Sequence, residues 1–177
     1  MSKSTRYILG LDVGNKGAVA LLSLDGGALD WFKLPTRLDC EGMLTKSGAI
    51  SKASHVCAKS LLEHLENFDI LTCYIEKPMF SRFNYKLITN YGICIAILEV
   101  LEIPYVSYAP SSWMASLKSY IGFKDQKNVN KSFTFDAFKH CYPEIVLPAK
   151  EGGLDDDIAD ASLLAYLCYL NIEKERD

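Results

Sequence analysis

Short apolar runs and helically spaced apolar positions follow one another along this chain, and their order predicts its elements. Tyr7 to Asp12 is a compact apolar run closed by a carboxylate, the pattern of a buried strand. Gly14 and Gly17 open a turn, and Ala18 to Leu24 predicts the next strand. Asp25-Gly26-Gly27 is a hairpin signal. Ala28 to Leu34 then returns as a third strand ended by Pro35, so three antiparallel strands open the chain. Thr36 to Lys52 is polar and glycine-containing and reads as a loop. Val56, Leu61, Leu62 and Leu65 fall at helical spacing and predict an amphipathic helix over Ser54 to Asn67.

Ile70 to Glu76 predicts a fourth strand, stopped by Pro78. A long apolar helix is expected over Tyr85 to Leu101, and a fifth strand over Pro104 to Ala109. Pro110, Ser111 and Ser112 start a short helix reaching about Leu117. Asn128 to His140 predicts another helix, with Pro143 beyond its end, and Leu154 to Leu170 the last. The order βββαβαβ followed by helices describes an α/β fold. Its mixed five-stranded sheet has three antiparallel strands, then parallel ones, flanked by helices. No repeat, linker or low-complexity tract divides residues 1–177, so one domain is expected.

Composition narrows the function. Of 177 residues, 49% are hydrophobic and 23% charged, which suits a globular domain with a proper core. The net charge of −3 and pI near 5.6 exclude a general basic coat for nucleic acid, while leaving room for a local basic stripe. No apolar stretch approaches membrane-spanning length, and no signal peptide is read at the N-terminus. The expected location is the cytoplasm or an equivalent reducing compartment. Cys40, Cys57, Cys73, Cys94, Cys141 and Cys168 form no CxxC pair and are expected as reduced thiols. His55, His64 and His140 form no local ligand pair and read as ordinary helix histidines.

Chemistry enters with four acids at the edges of apolar runs. Asp12 ends ILGLD, Glu76 ends CYIE, and Asp157 and Asp160 open the last helix within DDDIADASLLAYL. Asp12 alone could shape the glycine-rich turn after it. Glu76 alone could point into water beside Lys77. Asp155 or Asp156 could simply cap the helix. Asp157 and Asp160, three residues apart, share one helix face, and their repulsion there calls for a counter-charge. Asp156 with Asp160 would also share a face. Taken together, two strand-end acids and a helical pair make a plausible cage for two hard divalent cations, which suits phosphodiester hydrolysis.

With these motifs in place, the chain resembles the RuvC family of Holliday junction resolvases, on the ribonuclease H-like fold. ILGLDVGNKGAVALL resembles the family's first-strand motif, YIEKP its second acidic motif, and DDDIADASLLAYL its C-terminal helix motif. The segments NYGICIAILEVL, IPYVSYAP and SSWMASLK resemble those of compact phage RuvC-like proteins, so the likeness spans essentially the whole chain. The resemblance implies catalytic metal ligands at Asp12, Glu76, Asp157 and Asp160, with Mg2+ as cofactor, two per site, and Mn2+ able to substitute. It implies a homodimer that makes paired symmetric nicks in branched DNA and leaves 5′-phosphates. Four-way junctions are the expected substrate, with forks and flaps as further ones, and no membrane partner is expected. Phe80 and Phe83 are the expected aromatics at the junction centre. Lys118, Lys124, Lys127 and Lys131 are expected near the DNA backbone, with Lys127 also in a catalytic role. Arg82, with Lys77 and Lys86, would extend the basic stripe. A phage or viral origin is compatible with the compact form.

Other readings remain open at this level. LDVGNKGAVAL fits YqgF-like nucleases of ribosomal RNA maturation almost as well, whereas YIEKP fits them poorly. Gly10-x-Asp12-x-Gly14 also occurs in actin-like and sugar-kinase phosphate loops, but no second phosphate loop or adenosine motif accompanies it. A junction-binding scaffold without catalysis is the non-enzymatic alternative.

Overall fold

The structure is a computed structural model that describes residues 5–14, 16–36, 55–78, 85–123, 131–150 and 153–176. Five strands form the main sheet: β1 (Arg6–Asp12), β2 (Ala18–Ser23), β3 (Leu29–Lys33), β4 (Asp69–Glu76) and β5 (Tyr105–Tyr108). Their spatial order is β3-β2-β1-β4-β5. β1 pairs antiparallel with β2, which pairs antiparallel with β3. β4 and β5 join parallel on the other side of β1. The mixed sheet expected from the sequence is therefore present. The turn from β2 to β3 is locked by Asp25, whose Oδ1 accepts from Ser23 Oγ at 2.6 Å and from the Gly27 N–H at 3.0 Å.

Helices cover both faces. α1 (Ala58–Leu65) and α2 (Tyr85–Val100) share one face with Leu9, Leu11, Val19, Leu21, Cys73 and Ile75. α3 (Pro110–Ile121), α4 (Lys131–Cys141) and α5 (Asp156–Arg176) share the other with Ile8, Ala20, Leu22 and Tyr74. Alternation along β1 sorts its side chains between the two cores: Leu9 and Leu11 to one, Ile8, Gly10 and Asp12 to the other. Each face thus buries its own apolar layer, the main stabilising term of such a sandwich.

α5 is the central helix of its face and packs directly over β1 and β2. It comes so close because Gly10 meets Ala161 and Ala165. A Cβ built on Gly10 would lie 1.9 Å from the Ala161 carbonyl oxygen and 2.7 Å from the Ala165 nitrogen. Hydrogen is the only side chain this contact admits.

Several expected boundaries shift. α1 starts at Ala58 and not at Ser54, because the preceding residues bond elsewhere: Val56 bridges Thr36, and its N–H donates to Asn90 Oδ1 at 3.0 Å. His55 consequently lies ahead of the helix and is no helix histidine. α3 continues to Ile121 before Gly122 ends it, and α5 continues past Leu170 to Arg176, where Arg176 pairs with Glu173. A two-stranded ribbon, β6 (Ala149–Lys150) with β7 (Gly153–Leu154), was too short to leave a sequence signal. One correction is chemical. Cys57 is disulfide-bonded, so not every cysteine is a free thiol. Cys73, Cys94, Cys141 and Cys168 are free thiols as expected. Among the described residues, no helix is long and apolar enough to cross a membrane.

Replacing Gly10 with Val should lift α5 off the sheet and destabilise the fold by about 3 kcal/mol or more. Chemical denaturation checks this, and a loss below about 1 kcal/mol would show that the helix gives way easily.

Candidate active site

The acids converge because three elements end at one place. Asp12 is the last residue of β1 and Glu76 the last of β4, its parallel neighbour. Asp12 follows Ile8 and Gly10 in alternation, and Glu76 follows Tyr74, so both carboxylates rise on the α5 side of the sheet. Asp12 is only 6% exposed, an unusual position for a carboxylate.

The start of α5 supplies the rest. Asp155 is its N-cap: Oδ1 accepts from the Ile158 N–H at 3.2 Å, and the Asp155 carbonyl accepts from Ala159 at 3.2 Å. That leaves Asp157 and Asp160 on the helix face turned toward β1. The Gly14 N–H donates to Asp12 Oδ1 at 3.0 Å, which draws the turn against the acid. A Cβ built on Gly14 would lie 3.3 Å from Asp12 Oδ2 and 3.6 Å from Asp157 Oδ1. The space beside both carboxylates stays open because residue 14 has no side chain.

Electrostatics record the crowding. The Asp12 carboxyl is held well above the usual carboxylate range, first by burial and then by the charges of Glu76, Asp160 and Asp157. The Gly14 N–H opposes this in part. Burial also raises Glu76, against a hydrogen bond from Trp113. Oδ1 of Asp160 is buried and accepts no hydrogen bond among the described residues. Asp155, Asp156 and Asp157 each bring one ligand oxygen within 4.8 Å of the others.

Two side chains at the site went unread in the sequence. Trp113, fully buried on α3, donates its indole Nε1–H to Glu76 Oε2 at 2.8 Å. Lys33, the last residue of β3, places Nζ 2.6 Å from Asp155 Oδ1 and 2.8 Å from Asp157 Oδ2. Tryptophan reads as core and a strand-end lysine as solvated, so neither leaves a signal without the sheet register.

The basic and aromatic candidates fare differently. Lys118 lies half-buried on α3, Lys77 directly follows Glu76 and is exposed, and Lys86 is half-buried on α2. Lys131 opens α4, with its side chain outside what is described. Phe80, Arg82, Phe83, Lys124 and Lys127 lie outside the described residues.

The donor set fits a hard divalent cation. All the converging groups are carboxylates, the charges of the other three raise the proton affinity of Asp12, and Gly14 places no side chain between Asp12 and Asp157. Asp12, Glu76, Asp157 and Asp160 would hold such an ion.

No protein-family model matches the sequence, and no curated protein matches it. Solved structures do. The chain resembles the Thermus thermophilus RuvC structure with a TM-score of 0.58 at 19% identity, over 95% of this chain and 96% of that one. It resembles T. thermophilus RuvC in complex with Holliday junction substrate with a TM-score of 0.62 at 16% identity, over the same shares of each chain. At this identity the likeness establishes a shared RuvC-like, ribonuclease H-like fold.

The raised carboxyls fix a pH dependence for the metal-free protein. An acid whose pKa rises on folding binds more protons folded than unfolded between its two pKa values, so stability falls as pH rises through that window. In EDTA, the melting temperature should therefore drop from mildly acidic toward neutral pH. Asp12→Asn should flatten that slope and raise the neutral-pH value. A wild-type slope of the opposite sign would contradict the crowding of these acids.

Proposed function

We propose that this chain is a divalent-metal-dependent endonuclease that resolves branched DNA, with four-way junctions as its main substrate. One observation carries the reading: Asp12, Glu76, Asp157 and Asp160, from three separate elements, meet on one face of a RuvC-like fold. A scaffold protein has no use for such a cluster, because like charges at a buried site oppose folding. Divalent cations held by these acids would supply an activated water and a counter-charge for the departing oxygen, with Mg2+ or Mn2+ suited to the all-oxygen donors.

The chain's own residues do the positioning. Asp12 is fixed by the Gly14 N–H and its strand-end burial. Trp113 clamps Glu76 from the helix behind it. The N-cap of α5 fixes the first turn and hence Asp157 and Asp160. Rigid second partners of this kind keep ligand carboxylates in one geometry. Lys77 and Lys118, with Lys124, Lys127 and Lys131, are the candidates to meet DNA phosphates, Lys127 beside the scissile one. Phe80, Arg82 and Phe83 are the candidates for the junction centre.

Paired cuts in a two-fold junction call for a two-fold dimer. α2 supports one. Its inner face buries Cys94, Ile97 and Leu98, while Ile88 and Val100 on its outside are exposed, Val100 by 70%. Ile93, Ala96 and Val100 line an apolar groove against Ala58 and Leu62 of α1. A second copy would cover it.

A labelled fixed four-way junction should be nicked symmetrically in Mg2+ and left intact in EDTA, with linear duplex uncut. Asp157→Asn and Asp160→Asn should bind the junction yet fail to cut it. Cutting that survives both substitutions would refute the assignment, and cutting of RNA alone would move the substrate class.

Trp113→Phe should lower cleavage by about ten- to a hundredfold, as loss of a ligand-orienting partner does. Its lost hydrogen bond favoured the Glu76 carboxylate, so the rising limb of the pH–rate profile should move to higher pH. A profile that keeps its shape would assign Trp113 to packing alone.

A further inference from the structure

Lys33 stands apart from every residue that the nuclease reading uses. It lies on β3, two strands from β1, in a register that leads straight to the acids. Lys33 pairs with Ala18, and Ala18 pairs with Asp12. Residues opposite one another across a sheet share a face, so Lys33, Ala18 and Asp12 form one row under the start of α5. Leu29 and Trp31, the alternate residues of β3, pack against the same core, which confirms the face. Ala18 is small and leaves the way across the row open. The lysine reaches over it and binds Asp155 Oδ1 and Asp157 Oδ2 together.

Asp157 is thereby divided. Oδ2 faces the ammonium, while Oδ1 lies beside Gly14 and Asp12. Asp155 is buried, caps α5 and binds the lysine through the same oxygen. One unit of positive charge thus sits on the outer side of the acid cluster. A mobile divalent ion and a fixed ammonium compete for the same carboxylate, and their charges repel.

We propose that Lys33 is a resident counter-cation that limits how tightly the acid cluster binds divalent metal, by holding Asp157 on its outer side. It is a positioning residue: it acts through Asp157. It holds the cluster together before metal arrives, and it keeps the ion next to Asp157 exchangeable. The inference rests on the metal-binding reading of Asp12, Glu76, Asp157 and Asp160.

The test is direct metal binding. Mn2+ is titrated into the full-length protein by calorimetry at fixed ionic strength, with free Mn2+ checked by electron paramagnetic resonance. Wild type, Lys33→Met, Lys33→Gln, Lys33→Arg and Asp12→Asn are compared. Lys33→Gln keeps a donor for Asp155, so the α5 cap survives if methionine disturbs it. Removing one positive charge within several ångströms of a divalent site should tighten binding by about tenfold or more, in both neutral variants. Lys33→Arg should retain the wild-type isotherm. The rise in melting temperature on adding Mn2+ should be larger for Lys33→Met and Lys33→Gln than for wild type. Unchanged or weaker Mn2+ binding in both neutral variants would overturn the proposal and leave Lys33 as a helix anchor, while the metal site itself stood. Wild type that takes up no Mn2+, and matches Asp12→Asn, would overturn the proposal together with the metal reading beneath it.

Discussion

The contact between Gly10 and the backbone of α5 is the constraint from which the site follows. With no side chain at residue 10, and alanines at 161 and 165, the helix rests directly on β1. Its first turn is then forced against the strand end where Asp12 stands. Three elements that never meet in sequence bring their acids together there. A bulkier contact would leave the same four carboxylates apart and harmless.

Closeness has a cost that the fold does not remove. Burial and mutual repulsion lift Asp12, and burial lifts Glu76, so the metal-free cluster is strained at neutral pH. Among the described residues, local contacts offset it in part: the Gly14 N–H on Asp12, the Trp113 indole on Glu76, and the Lys33 ammonium on Asp155 and Asp157. Each also fixes a direction for the carboxylate it serves. Charge relief and ligand geometry are thus supplied by the same hydrogen bonds, and a divalent ion would complete both.

Much of this was legible in the chain. The apolar runs ending in Asp12 and Glu76 announced strands with acids at their ends, and burial of an acid needs a reason. The spacing of Asp157 and Asp160 announced a shared helix face, and the mixed character of the sheet followed from the element order βββαβαβ. Three things were hidden for physical reasons. Asp155, Asp156 and Asp157 are equivalent in sequence, and only the cap geometry separates their roles. Trp113 looks like any core aromatic until its N–H finds Glu76. Lys33 depends on the β1–β2–β3 register, which a hairpin signal places only roughly. The disulfide at Cys57 was missed for a related reason, since scattered cysteines carry no pairing information.

The central claim is that these acids form a divalent-metal site, and an anomalous difference map from a Mn2+-soaked crystal tests it most directly. The account predicts density between Asp12, Glu76, Asp157 and Asp160, with carboxylate oxygens at roughly 2 Å from the ion. Density confined to Asp155 and Asp156, or none at saturating Mn2+, would contradict it.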